Sequence, residues 1–143
     1  MRAIRNRVSR EDGVAAVEFA LILPVLALLL FGVLEFGRVW SQYQLYQGAA
    51  REGARCAAVK IDSDCDIQGS IRQAAEPFQV SRDANVSIGG ANAAGGCTTS
   101  TVGRDVQVSW QQDLEVNIPF WNDVTLTPTV KALFRCEGSG GGV

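Results

Sequence analysis

Four cysteines, Cys56, Cys65, Cys97 and Cys136, are the residues best suited to covalent chemistry, and no histidine stands among the 143 residues. None of the four falls in the C-x-x-C spacing of zinc sites or redox motifs. A metal site would have to gather scattered thiolates, so no metal and no other cofactor is expected. An even count in this pattern suits disulfides, which belong to an oxidising compartment. The other reading is four reduced thiols buried as small hydrophobes. Four cysteines allow three pairings, of which Cys56 with Cys65 and Cys97 with Cys136 is preferred. The first pair brackets an expected helix end and turn, and the second ties a long loop to a final strand. Each bond would contribute about 2 to 4 kcal/mol, mostly by restricting the unfolded chain.

Enzyme chemistry finds little to work with. The usual imidazole base is absent, and no serine, lysine or paired-carboxylate arrangement stands out. The glycine-rich stretch from Gly89 to Gly103 lacks the GKS or GKT ending of a phosphate-binding loop and reads as a flexible loop. A net charge of -2 and a pI of about 5.1 give no field that would draw in a phosphate backbone, and no nucleic-acid partner is expected. The charge is unevenly spread. Arg2, Arg5, Arg7 and Arg10 crowd the amino end, and acidic residues outnumber basic ones after Gly13.

The element that must position any such chemistry is the apolar run Val14–Leu34, interrupted only by Glu18 and Pro24. As a helix it reaches about 31 Å, close to the hydrocarbon thickness of a bilayer. A helix is required there, because extended backbone in lipid would leave its donors and acceptors unpaired. Arginines before the run and only Arg38 close after it predict a cytoplasmic amino end. The cysteines then fall outside the cytoplasm, as disulfides require. A cleaved secretory signal has the same basic start, but this run is too long for one and ends without an A-x-A site. Beyond it, Val39, Tyr43, Tyr46, Ala50, Ala54 and Ala57 recur at helical steps and predict one continuous rod over 14–59, about 69 Å long, with its transmembrane part at 14–36.

Several residues along this rod invite a role. Glu18, only about 6 Å inside the start of the run, either snorkels to the inner interface or pairs with a cation from another subunit. Such a pair would fix axial register. Glu35 and Arg38 are spaced for an intrahelical pair at the outer interface, with subunit contact as the alternative. Trp40, Tyr43 and Tyr46 fit an outer aromatic girdle that merges into extracytoplasmic packing. Pro24 removes one backbone hydrogen bond, which makes either an ordinary bend or a functional weak point. From Gly48 to Ala58, small residues including Gly48, Gly53 and Ala54 line one side and predict close backbone packing, by the chain's own domain or by another subunit.

The segment EDGVAAVEFALILPVLALLLFGVLEFGRVW over 11–40, with QGAAREGARCAA over 47–58, closely resembles the TadE-like family, pilin-like minor components of bacterial tight-adherence pilus and secretion systems. Gly13, followed by Glu18 and Phe19, resembles a prepilin peptidase site cut between Gly13 and Val14. The resemblance implies a cleaved leader over 1–13 and a mature amine at Val14 that pairs with Glu18 of a neighbouring subunit. It also implies partners: the lipid bilayer, a prepilin peptidase, other pilin-like subunits and membrane proteins of pilus assembly. An inner-membrane, single-pass location follows, with the carboxyl domain in the periplasm. The rivals are an uncleaved membrane scaffold of the same apparatus and a secreted binding module.

The remainder, 60–137, reads as an extracytoplasmic α+β domain. Polar residues from Asp62 to Asp66 suit a turn and a helix cap. Ile67, Ile71, Ala74 and Ala75 predict a short helix ended before Pro77. Alternation predicts strands at Val86 and Ile88, at Val106 to Trp110, at Leu114 to Ile118 before Pro119, and at Val130 to Cys136 with Phe134 inward. The expected fold is pilin-like α+β: a long amino-terminal transmembrane helix, extending outward to pack on a small antiparallel sheet. The tail over 138–143 is expected to be flexible.

Overall fold

The structure, a computed structural model, describes residues 5–59, 61, 64–118 and 122–137, with side chains from Gly13 onward. The leader arginine side chains, Asp62, Pro119 and the tail over 138–143 lie outside the described residues.

Helix α1 spans Arg5–Val59, 55 residues with Pro24 inside. It starts earlier than the Val14 boundary that hydropathy suggests, because charged and small residues are tolerated in a helix. One glycine at position 13 costs only about 1 kcal/mol relative to alanine. Helix α2, Ile67–Ala75, follows a turn; Ile67, Ile71 and Ala75 form its buried face. Asp66 stands at its N-cap but makes no side-chain capping bond there.

Strands β1 (Asn85–Ile88), β2 (Ala91–Asn92), β3 (Asp105–Gln111) and β6 (Thr129–Arg135) form one antiparallel sheet in the order β2-β1-β3-β6. Its register sets Val86 opposite Val108, Val108 opposite Ala132 and Trp110 opposite Val130. The period-two parity therefore delivers one apolar face, and α1 lies against it. On that side α1 presents Tyr46, Ala49, Ala50, Ala54, Ala57 and Ala58, all buried. Alanine lets a neighbouring element approach closely. Ile71, Val106, Val108 and Val130 fill the space left, each contributing about 1.5 to 3 kcal/mol by leaving water.

Strands β4 (Leu114–Val116) and β5 (Val124–Leu126) pair separately as a two-stranded hairpin. Leu114 to Val116 therefore does not join the main sheet, and Val124–Leu126 is a strand that its short, exposed alternation does not announce. The divergence begins at Gln112, whose backbone amide donates to Pro128 O at 3.0 Å. Its side chain is buried, accepting from Trp110 Nε1 and Ser81 N and donating to Ser81 Oγ. The inward parity Val106, Val108, Trp110 continues to Gln112, so its burial was legible even though its polarity argued against it.

Two further expectations need correction. Phe134 has inward parity but is 38% exposed, since β6 is the outer strand of its sheet and has a strand neighbour on one side only. Tyr46 stands where the girdle merges into the domain packing: it is buried, and its hydroxyl donates to Gln79 O at 3.0 Å. The stretch from Gly89 to Gly103 is ordered by β2, a short 3-10 turn over Thr99–Thr101 and the bond from Cys97 N to Ala57 O at 2.9 Å. Gly96 makes that approach possible. Its φ is +78°, and a Cβ there would stand 3.0 Å from Ala57 O.

Candidate functional site

The features that bear on function lie at three levels of α1. At the inner level, Gly13 and Val14 are consecutive residues of an unbroken helix. With Val17, Glu18 and Leu21 they border a shallow apolar depression. Glu18 and Phe19 are both exposed, and no described residue pairs with the Glu18 carboxylate. A Cβ on Gly13 would meet nothing within 4 Å. Glycine at this position is therefore not demanded by packing among the described residues. Pro24 lies farther along, exposed within the same helix.

The span Gly13–Val59 contains a segment long and apolar enough to cross a membrane, with a mean hydropathy of 2.6 over its most apolar window. None of that window is buried by the rest of the described chain. Val14, Phe19, Leu21, Leu29 and Phe31 point outward around the whole helix. In water this would be an apolar surface far larger than a soluble monomer ordinarily shows.

At the middle level, Glu35 and Arg38 form the intrahelical pair that their spacing suggests, at 2.5 and 3.0 Å. The pair also reaches across to the hairpin. Arg38 Nη2 donates to Glu115 O at 3.0 Å, and Asn117 N donates to Glu35 Oε1 at 2.8 Å. With the Asn117 amide oriented by this network, its oxygen accepts from Arg38 and its nitrogen donates to Asp123, each at 3.0 Å. The Glu35 carboxylate beside it is the main reason the Arg38 guanidinium lies above its ordinary pKa, against a smaller opposing effect of burial. Sequence reasoning found Glu35 and Arg38 but not Glu115, Asn117 or Asp123. Two of the bonds go to backbone groups, which carry no side-chain signal. Above the pair, Phe36 stacks on Trp40 with ring centroids 6.1 Å apart, and Trp40 leans towards Tyr43 at 6.3 Å.

At the outer level the small residues divide. Gly53 and Ala54 are buried, and a Cβ on Gly53 would overlap the Ile71 side chain. Gly48, expected to share that packing, is exposed with open space around it, because it lies on the opposite face of the helix. The structure pairs Cys56 with Cys65 and Cys97 with Cys136, which leaves no free cysteine. Both bonds sit where α1 ends.

Residues 13–55 match the family model described as TadE-like protein, so the match begins at Gly13 and ends just before Cys56. No curated protein matches the chain, and no solved structure does.

Proposed function

Taking 13–55 as a TadE-like segment, we propose that the chain is a minor pilin-like structural subunit of a tight-adherence pilus assembly and secretion system. The observation that carries this reading is the uncovered apolar stretch of α1, which falls within the residues that the family match covers. That stretch anchors the protein in the inner membrane, with the arginine-rich leader in the cytoplasm and the disulfide-bonded domain in the periplasm. A prepilin peptidase cuts between Gly13 and Val14. Scission needs the helix opened at that bond, and glycine lowers the cost of opening by about 1 kcal/mol. The chain is the substrate here and supplies no catalytic group.

Cleavage frees an α-amine at Val14, a cation at neutral pH. Glu18 has no partner within its own described chain, and the amine of a neighbouring subunit meets that need. In a low-dielectric setting such a pair holds register more strongly than it would in water. Phe19 and Pro24 lie on the same uncovered surface and contact neighbouring subunits during assembly.

Intact-mass measurement of the protein in membrane and pilus fractions tests the reading: assembled protein should begin at Val14. Assembled, functional protein that still begins at Met1 would refute cleavage. Glu18→Ala should impair assembly while leaving membrane insertion intact, and undiminished pilus output in that variant would sink the pairing role. A second reading, an uncleaved scaffold of the same apparatus, draws on the unbroken helix through Gly13 and Val14. It requires the leader to persist in the membrane-bound, working form.

A further inference from the structure

A groove of about 480 Å³ runs between α1 and the β4–β5 hairpin. Leu28, Phe31 and Phe36 line it from the helix, and Val116, Ile118 and Leu126 from the hairpin side. Leu28 and Phe31 lie about 12 and 8 Å down the helix axis from Phe36. The groove therefore descends from the Glu35–Arg38 clamp into the part of α1 that the proposed function places in lipid. Ile118 and Leu126 are 42% and 47% exposed, which is unfavourable for a hairpin bathed in water but natural against hydrocarbon.

We propose that this groove is a lipid site, occupied by an acyl chain of a phospholipid in the leaflet through which α1 leaves the membrane. The inference rests on the membrane-anchored reading. What selects lipid over other occupants is continuity. The groove floor is the same outward apolar surface of α1 that meets hydrocarbon below, so an acyl chain enters it without crossing a polar barrier. Glu35 and Asn117 stand partway along the groove, with Leu28 and Phe31 below them and Val39, Trp40 and Tyr43 above. The Glu35 carboxylate is already engaged by Arg38 and by the Asn117 backbone N–H, so it leaves the wall without a free charge to repel a chain. A lipid with its headgroup beside the clamp and its tail along Phe31 and Leu28 satisfies the polar pair and the apolar wall below it. The hairpin then rests on the bilayer as a second point of contact, and the domain is held at a set height and tilt.

The test uses the full-length chain in vesicles of phosphatidylethanolamine and phosphatidylglycerol, with photoreactive benzoylphenylalanine placed at Leu126. The same residue at Leu23, within the span, reports the anchor, and at Leu133, exposed on β6 away from the groove, it reports background. Ile118 serves as an independent second groove position, and non-reducing electrophoresis selects molecules with both disulfides formed. The expected result is phospholipid adducts at Leu126 and Ile118 at yields like that of Leu23 and several-fold above that of Leu133. Lipid adducts at Leu23, with only background or a crosslinked second copy at both groove positions, would overturn the lipid site and leave the anchor standing. Loss of lipid adducts at Leu23 as well would overturn both.

Discussion

From Val14 to Phe36, α1 turns valines, leucines and phenylalanines outward on every side, whereas from Tyr46 to Ala58 it turns mostly alanines towards α2, β3 and β6 and buries them. Both stretches are apolar, so hydrophobicity does not distinguish them. Side-chain size does. Small residues lower the surface of the helix so that a folded domain can approach its backbone, and the domain supplies the bulk through Ile71, Val106 and Val108. Large residues need a surrounding medium that conforms to them, as lipid or a bundle of like helices does. One continuous helix is thus built for two environments, and Glu35 with Arg38 marks the border.

The largest effect that would sharpen this contrast lies at the outer end. Replacing Cys97 and Cys136 by serine opens a loop whose ends are 39 residues apart, which should cost about 4 kcal/mol of domain stability by the loop-entropy relation. The Cys56–Cys65 pair, separated by 9 residues, should cost about 2.5 kcal/mol by the same relation. Urea unfolding of the detergent-solubilised chain, followed by tryptophan fluorescence, would rank the two; a reversed order would mean that native packing, not chain restriction, sets the contribution. Next comes Leu26→Asp in the uncovered half, expected to oppose membrane insertion by about 2.5 to 3.5 kcal/mol. Alkaline extraction of membranes should release this variant, and complete retention would contradict a lipid environment at that level.

Smaller, but more discriminating, is the same substitution made on the two faces of the upper helix. Gly53→Ala sets a methyl group against Ile71, which is 1% exposed and cannot swing away, so a loss of about 1 to 3 kcal/mol is expected. Gly48→Ala meets open space and should gain about 0.5 to 1 kcal/mol from helix propensity alone. Thermal melts of the two variants that moved in the same direction would break the assignment of faces.

Much of this architecture was legible because periodicity reports burial. The helical stripe through Tyr46, Ala50, Ala54 and Ala57 and the alternation at Val106, Val108 and Trp110 each named their inward residues. The hairpin escaped for a physical reason. Alternation marked β4, but β5 is three residues long and exposed throughout, so no amphipathic pattern announces it or the pairing. Gly48 shows that spacing in a glycine-rich run does not say which residues meet the chain's own domain, since it lies on the exposed face. At the candidate site, the side-chain pair of Glu35 and Arg38 could be read directly, but its reach to Glu115 and Asn117 depends on a tertiary fold that carries no local signature. The resemblance over 11–40 and 47–58 to TadE-like proteins spoke for Gly13 and Glu18, where the described residues offer no partner.

At the far end of α1 the carbonyl of Ala57 accepts from Cys97 N and that of Ala58 from Glu137 N, beside two disulfides. Helix ends usually leave such carbonyls to water. Here segments distant in sequence are bolted to the tip of the rod, while the Glu35–Arg38 clamp fastens the hairpin near its waist. Tension drawn along the rod is therefore received by the domain at two stations and borne in shear by the whole interface between them, rather than peeled open one contact at a time. A subunit so built can be hauled or pushed as a single lever.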